Sequence, residues 1–345
     1  IYAKKGCRVK YIPITFRPRQ GGVNSINMKK IFGICFFVLM TGCVLTHSSL
    51  SLAYAALGLN LWYEKMVPVL LPFMILSGTL IRMGMTDSLI RPVRPLFGRI
   101  YRLSAPGIYV ILMGFLCGFP MGARTASDFR DRQEISSEEG QYLLAFCNNL
   151  GPVYFLGFVL PLLHRKLLFP YVFGMYGVPL LYGIFLRYSV YKNRISEKTD
   201  HSFGRNNAAK FLEPTGPAPL PAMSLTDALD DAITAAGRSI LQLGGYMIFF
   251  NLLNLLPRLL LPDSFRYAPL LEISGGLKLL GDRFPLYTLL LLPFGGLSCI
   301  AQTGSCIRNT GLSLKSYILH KMVLTVLTAA YYLGWFLLSP DTFLL

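Results

Sequence analysis

Two stretches of this chain break apolar sequence with glycine and proline and set hydrogen-bonding side chains beside the break. The first is Gly114-Phe115-Leu116-Cys117-Gly118-Phe119-Pro120-Met121-Gly122-Ala123-Arg124, which ends an apolar run over 108–121. The second is Leu291-Leu292-Pro293-Phe294-Gly295-Gly296-Leu297-Ser298, continuing to Gln302-Thr303-Gly304-Ser305. Glycine and proline undo a regular helix. Broken backbone at membrane depth persists only where it is buried in protein or lines a wet cavity. In such a place Gly118, Gly122, Gly295 and Gly296 let backbone approach a solute, and Pro120 keeps the first break open. Asn148, Asn149, Ser298, Gln302, Thr303 and Ser305 can donate hydrogen bonds, and Arg124 can pair with a carboxylate. The chemistry on offer is recognition of a small solute. Two interrupted segments in corresponding places of two halves are the usual pointer to a transporter's binding site.

Each residue also has a structural reading. Arg124 can pair with Asp128, four residues on, and Asn148 and Asn149 can cap a helix before Gly151-Pro152. Gln302 and Ser305 can serve as interhelical glue. Glu272, beside an apolar run, reads either as an ion or proton site or as a loop surface charge. No nucleophile–base cluster, metal-ligand spacing or phosphate-binding loop is present, so neither an enzyme nor a cofactor or metal site is expected. Of the seven cysteines, Cys35, Cys43, Cys117, Cys147, Cys299 and Cys306 lie in apolar runs and read as small packing residues.

The elements that must hold these residues are membrane helices. Of 345 residues 53% are hydrophobic and 14% charged, against about a quarter charged in a soluble domain. The expected fold class is an all-α polytopic membrane protein of two inverted repeats, each with a re-entrant or interrupted hairpin. The net charge of +16 belongs to short basic loops beside apolar runs, where it sets orientation and meets lipid headgroups. It does not indicate nucleic acid.

In chain order, residues 1–27 hold six basic residues and no acidic one ahead of Met28-Lys29-Lys30 and an apolar run. That is how a bacterial membrane protein begins, so 1–27 is expected to be a non-native leader, the alternative being a basic membrane-binding arm. A first helix is expected within 28–55, uncleaved despite weak lipobox-like and signal-peptidase-like stretches. A first repeat over 56–190 opens with a span from Leu59 to Ile81, kinked by Pro68 and Pro72. The basic connector behind it, with Arg82, Arg91, Arg94, Arg99 and Arg102, is cytoplasmic by the positive-inside rule. A run of about 14 residues covers only about 21 Å of a core about 30 Å thick, so 108–121 is expected to dip in and return. Single spans are expected over Tyr142–Leu163 and Leu167–Tyr188. That order places the Pro/Gly-rich linker 191–224 in the cytoplasm. The second repeat, 225–345, is expected to start with an amphipathic stretch from Leu225 to Ala236, whose Asp227, Asp230 and Asp231 suit a helix N-terminal turn or a membrane surface, then span from Ile240 to Leu261. Its interrupted segment lies at 285–305, with a last span from about Ser316 to Leu338. Phe73-Met74-Ile75 aligns with Tyr246-Met247-Ile248 across the halves. A valine at Gly122 is expected to fill the solute's approach and leave insertion intact.

Several stretches together carry a family resemblance: Gly58-Leu59-Asn60-Leu61-Trp62 through Val69-Leu70-Leu71-Pro72-Phe73, Gly118 to Ala123, Ser136 to Gly140 leading to Asn148-Asn149-Leu150-Gly151-Pro152, and Leu271-Glu272-Ile273-Ser274-Gly275-Gly276. They resemble the YlbJ/SpoVV sporulation integral membrane proteins, which carry the nucleoside-recognition Gate domain and are similar to concentrative nucleoside transporters. The chain departs from the family pattern at Asn149, where a smaller residue is expected. The resemblance implies a protein of the membrane around the forespore that moves dipicolinic acid. It implies paired inverted hairpins around a central site lined by the glycines, amides and hydroxyls above. The partners it implies are the bilayer, a small organic anion such as dipicolinate, and a second copy of the chain or other sporulation membrane proteins.

Overall fold

The computed structural model of the protein describes residues 28–164, 169–195 and 224–339. The leader 1–27 and the linker from 196 to 223 lie outside the described residues, and so do the expectations placed on them. Met28–Thr46 forms α1, a unit by itself. The second unit begins at His47.

In that second unit α2 (Ser48–Leu61), a π turn over Trp62–Met66 and α3 (Val67–Arg82) run on as one 35-residue apolar stretch. The span thus starts well before Leu59, because nothing between Ser48 and Leu61 stops a helix. The wide turn falls just ahead of Pro68, whose missing N–H and bulky ring a tight α turn would not accept. Short helices α4 (Thr86–Ile90) and α5 (Arg94–Tyr101) follow. The chain then turns by 103° between α5 and α6 (Ala105–Cys117). Ser104 caps α6 by accepting from the Gly107 N–H at 3.1 Å.

Gly118 stops α6 at a φ of 79°, and α7 (Met121–Asp131) packs back against α6. Next come α8 (Ser137–Phe146) and α9 (Pro152–Leu162), so the expected single span from Tyr142 to Leu163 is interrupted at Cys147–Gly151. Gly151-Pro152 restarts the helix there, as a proline in the first turn does. Phe169–Tyr188 forms α10, a span of 20 residues.

Of the two readings of the stretch from Leu225 to Ala236, the helix N-terminus is the one found: it is the first part of α11 (Leu225–Leu252), an unbroken 28-residue helix with Asp227 in its first turn. Its Ala228, Ala232 and Ala236 are buried, and α11 packs along α2 and α3. Small residues set that closeness. A Cβ on Gly58 would come 2.9 Å from Ile248 Cα, and one on Gly244 would come 2.7 Å from the Trp62 ring. Trp62 Nε1 donates to the Ile240 carbonyl at 2.9 Å.

Short helices α12 (Leu255–Leu260), α13 (Ala268–Leu271) and α14 (Ile273–Leu280) lead to α15 (Pro285–Leu291) and α16 (Gly296–Cys306). These last two make one interrupted span of 22 residues, where the sequence suggested a hairpin. Gly295 and Gly296, at φ 75° and 81°, break the helix without a sharp reversal. The last span is α17 (Leu314–Leu338). Among the described residues five helices are long and apolar enough to cross a membrane, or six if α5 and α6 form one span. Leu76, Phe185, Leu241, Leu319 and Val326 point outward, as side chains facing lipid do.

Candidate functional site

The three helix breaks meet. At the first, the Phe119 N–H donates to the Asn149 carbonyl at 2.7 Å, which ties 118–120 to 147–151. The approach is backbone against backbone. A Cβ on Gly118 would lie 2.2 Å from Gly151 N, and one on Gly122 would lie 2.5 Å from the Cys147 carbonyl oxygen. Gly118 and Gly122 therefore serve this close packing, and neither lines a cavity. At the third break, a Cβ on Gly295 would meet the Phe119 ring at 2.8 Å, and one on Gly296 would meet the Pro269 carbonyl at 3.0 Å.

Side chains lock the same junction. Asn148 Nδ2 donates to Thr303 Oγ1 at 2.8 Å and to the Tyr317 hydroxyl at 3.2 Å, while its Oδ1 accepts from the Ala123 N–H at 3.4 Å. Asn149 Nδ2 donates to the Phe146 carbonyl. Gln302 Nε2 donates to Ser298 Oγ at 2.9 Å, within α16. Asn148 is thus a buried connector between elements, while Asn149 meets the last carbonyl of α8, the helix before Gly151-Pro152.

Two groups that the sequence reading missed or misplaced stand here. Lys321 of α17 is buried, donating to the Asn148 carbonyl at 2.8 Å and to Asn149 Oδ1 at 3.1 Å, with its Nζ 4.3 Å from the centroid of the Phe119 ring. A lysine eight residues into an apolar helix is the signal that was there to find. Glu272 is not a surface charge, because it is 2% exposed and caps α14. Its Oε1 accepts from the Ser274 N–H, and its Oε2 accepts from the Gly275 N–H and from Asn251 Nδ2 at 2.9 Å. A carboxylate at a helix N-terminus meets unpaired N–H groups and the favourable end of the dipole.

Two cavities adjoin the junction. The smaller, about 50 Å³, is mainly apolar and is walled by Phe119, Gly151, Tyr154, Met247 and Glu272. The larger, about 210 Å³, is polar, with Pro120, Arg124, Asp128, Asp131, Ser239 and Ser305 on its wall. Leu243 and Gln302 belong to both. Four of the expected residues, Pro120, Arg124, Gln302 and Ser305, are thus brought to one cavity. Arg124 is already engaged there: its Nε pairs with Asp128 Oδ1 at 3.1 Å and its Nη1 donates to Ser239 Oγ at 2.7 Å. Gln242 of α11 donates to Ser305 Oγ. Among the described residues no group of three His, Cys, Asp or Glu side chains could hold a metal ion.

Comparison with known proteins places this arrangement. No family model and no solved structure matches the chain. The sporulation integral membrane protein YlbJ of Bacillus subtilis (strain 168) is 26% identical over 340 residues, covering 86% of this chain and 80% of that protein. That match runs through most of both chains, and the helices are apolar and of spanning length. The protein is an integral membrane protein, and along most of its length it is similar to a sporulation integral membrane protein.

Proposed function

We propose that the protein is a sporulation transporter that carries a small organic anion, dipicolinic acid in the first instance, across the membrane around the forespore. The observation that carries this reading is the pair of cavities sharing Leu243 and Gln302 as a common wall, at the point where three broken helices meet. Broken helices offer free backbone donors to a solute, and breaks are also where a helix can hinge. A polar chamber and an apolar one, parted by two side chains, suit a substrate that passes from one to the other as that wall moves.

Element order supports an inverted repeat. In the first half α3 is followed by two short helices, a broken pair at 105–131, a polar turn and α8. In the second, α11 is followed by short helices, a broken pair at 285–306, a polar turn and α17. Met74 and Met247, aligned between the halves, are both buried. The reading includes no chemical step, and it assigns binding to polar side chains on the larger cavity's wall, Gln302 and Ser305 among them.

Uptake of radiolabelled dipicolinate into proteoliposomes tests the proposal. Time-dependent uptake above protein-free vesicles is the expected result. Folded, reconstituted protein that takes up none would favour a structural or assembly role in the spore envelope.

A further inference from the structure

Lys321 is a buried positive charge in a membrane helix, at 2% exposure. Among the described residues no carboxylate lies within ion-pair distance of it. Its oxygen partners are a backbone carbonyl and a side-chain amide, and its remaining neighbour is the face of Phe119. Neutral dipoles and a ring face solvate an ammonium but do not cancel its charge, and a charge held inside a membrane protein normally has a counter-charge or a function.

Of the other charges near the cavities, Lys65 on the smaller cavity's wall is exposed, and Arg124 has a carboxylate partner. Arg124 holds Asp128, with Asp131 on the same wall, so the larger cavity carries more acid than base. Glu272, on the wall of the smaller cavity, is met by two N–H groups at the start of α14 and by Asn251 Nδ2 of α11. Lys321 is a buried cation at this junction, and among the described residues it has no carboxylate partner.

Phe119 stands between that ammonium and open space. Its ring lies on Lys321 and also forms part of the smaller cavity's wall. At about 50 Å³ that cavity is too small for a dicarboxylate while the ring is in place. Phe119 is carried on a helix break, next to Gly118 at φ 79° and packed on Gly295 of another break. A shift of either break draws the ring off the ammonium and enlarges the chamber in front of it.

We propose that Lys321 is the residue that pairs with a carboxylate of the substrate, and that Phe119 is a shutter which keeps the ammonium covered until the substrate is present. The choice of ligand rests on the transport reading above. The Lys321 ammonium then selects for negative charge, while Arg124 on the larger cavity's wall stays with its aspartate.

Binding of two probes to purified protein tests this separately from transport. Pyridine-2,6-dicarboxylate carries the charge, and pyridine-2,6-dicarboxamide has the same shape without it. The wild-type protein is expected to prefer the diacid by at least about tenfold. Lys321→Gln should abolish that preference while leaving the weak diamide binding as it was, and Lys321→Arg should keep part of it. A merely structural lysine would change binding of both probes together. Phe119→Leu, a smaller shutter, should tighten diacid binding and leave the diamide alone. Should Lys321→Gln not survive purification, an unchanged preference in Phe119→Leu overturns the proposal. So does a preference retained in Lys321→Gln, or the lack of any in the wild type. Wild-type protein that binds the diacid through Lys321 yet moves none into vesicles would overturn the transport reading and leave this assignment standing.

Discussion

Asn148 joins three elements through one side chain, reaching α7, α16 and α17. Asn148→Ala removes those bonds at a buried site, where each unmet polar group costs about 1–3 kcal/mol. A clearly lower melting point in detergent is expected, and an unchanged one would mean that the junction is held elsewhere. Gly122 gives a sharper contrast. Its Cβ would press the Cys147 carbonyl at 2.5 Å, whereas a Cβ on Gly157 would meet nothing within 4 Å. Gly122→Ala should destabilise by about 1–3 kcal/mol, and Gly157→Ala should be neutral or slightly stabilising, read by parallel melts. Valine at Gly122 is therefore a packing lesion and does not test substrate access. The breaks were legible in the sequence because positive φ and close backbone approach call for glycine. Lys321 was not, because Lys315 and His320 nearby make that stretch look like the polar end of a span. Glu272 was misplaced because a glutamate before Ser-Gly-Gly has the composition of a loop, and its three donors become neighbours only when α14 and Asn251 are in place.

Among the elements, α11 and α16 face each other across the larger cavity, and Gln242 and Ser305 bridge them. If transport needs this wall to open, a link between the two helices should stop it. Cysteines at both positions, oxidised in proteoliposomes, are expected to cross-link and block dipicolinate uptake, with recovery on reduction. Full uptake by the cross-linked form would show that these helices stay together. Helix existence was largely readable from apolar run length. The joins were less so. Nothing local distinguishes Leu225–Ala236 as buried rather than surface-lying, since its alanines gain their meaning only from Gly78 and the rest of α3 beneath them. The break at 147–151 was hidden inside an apolar run, with Asn148-Asn149 and Gly151-Pro152 as its marks.

For the molecule in its bilayer, orientation rests on charge. The basic connector after α3 and the linker share an excess of Lys and Arg, from which the positive-inside rule predicts the cytoplasmic side for both. A cysteine at Ser202, in an otherwise cysteine-free background, should resist a membrane-impermeant maleimide in intact cells and react after permeabilisation. Labelling from outside would mean that the 105–131 pair crosses the membrane instead of returning. The all-α membrane character was legible at this scale because hydropathy reports the solvent directly, and outward side chains such as Leu241 and Leu319 agree.

The buried lysine also bears on biosynthesis. A lysine at the centre of a helix adds about 2.5–3.5 kcal/mol to translocon-mediated insertion, and less nearer an end. α17 carries Lys321 and is synthesised after the carbonyl and amide that receive it. The ribosome thus delivers this helix to a bundle that already holds its acceptors, and insertion of α17 becomes coupled to correct folding upstream. Variants that spoil the 147–151 break should then leave the last helix poorly integrated, exposing it to quality-control proteolysis even though its own sequence is untouched.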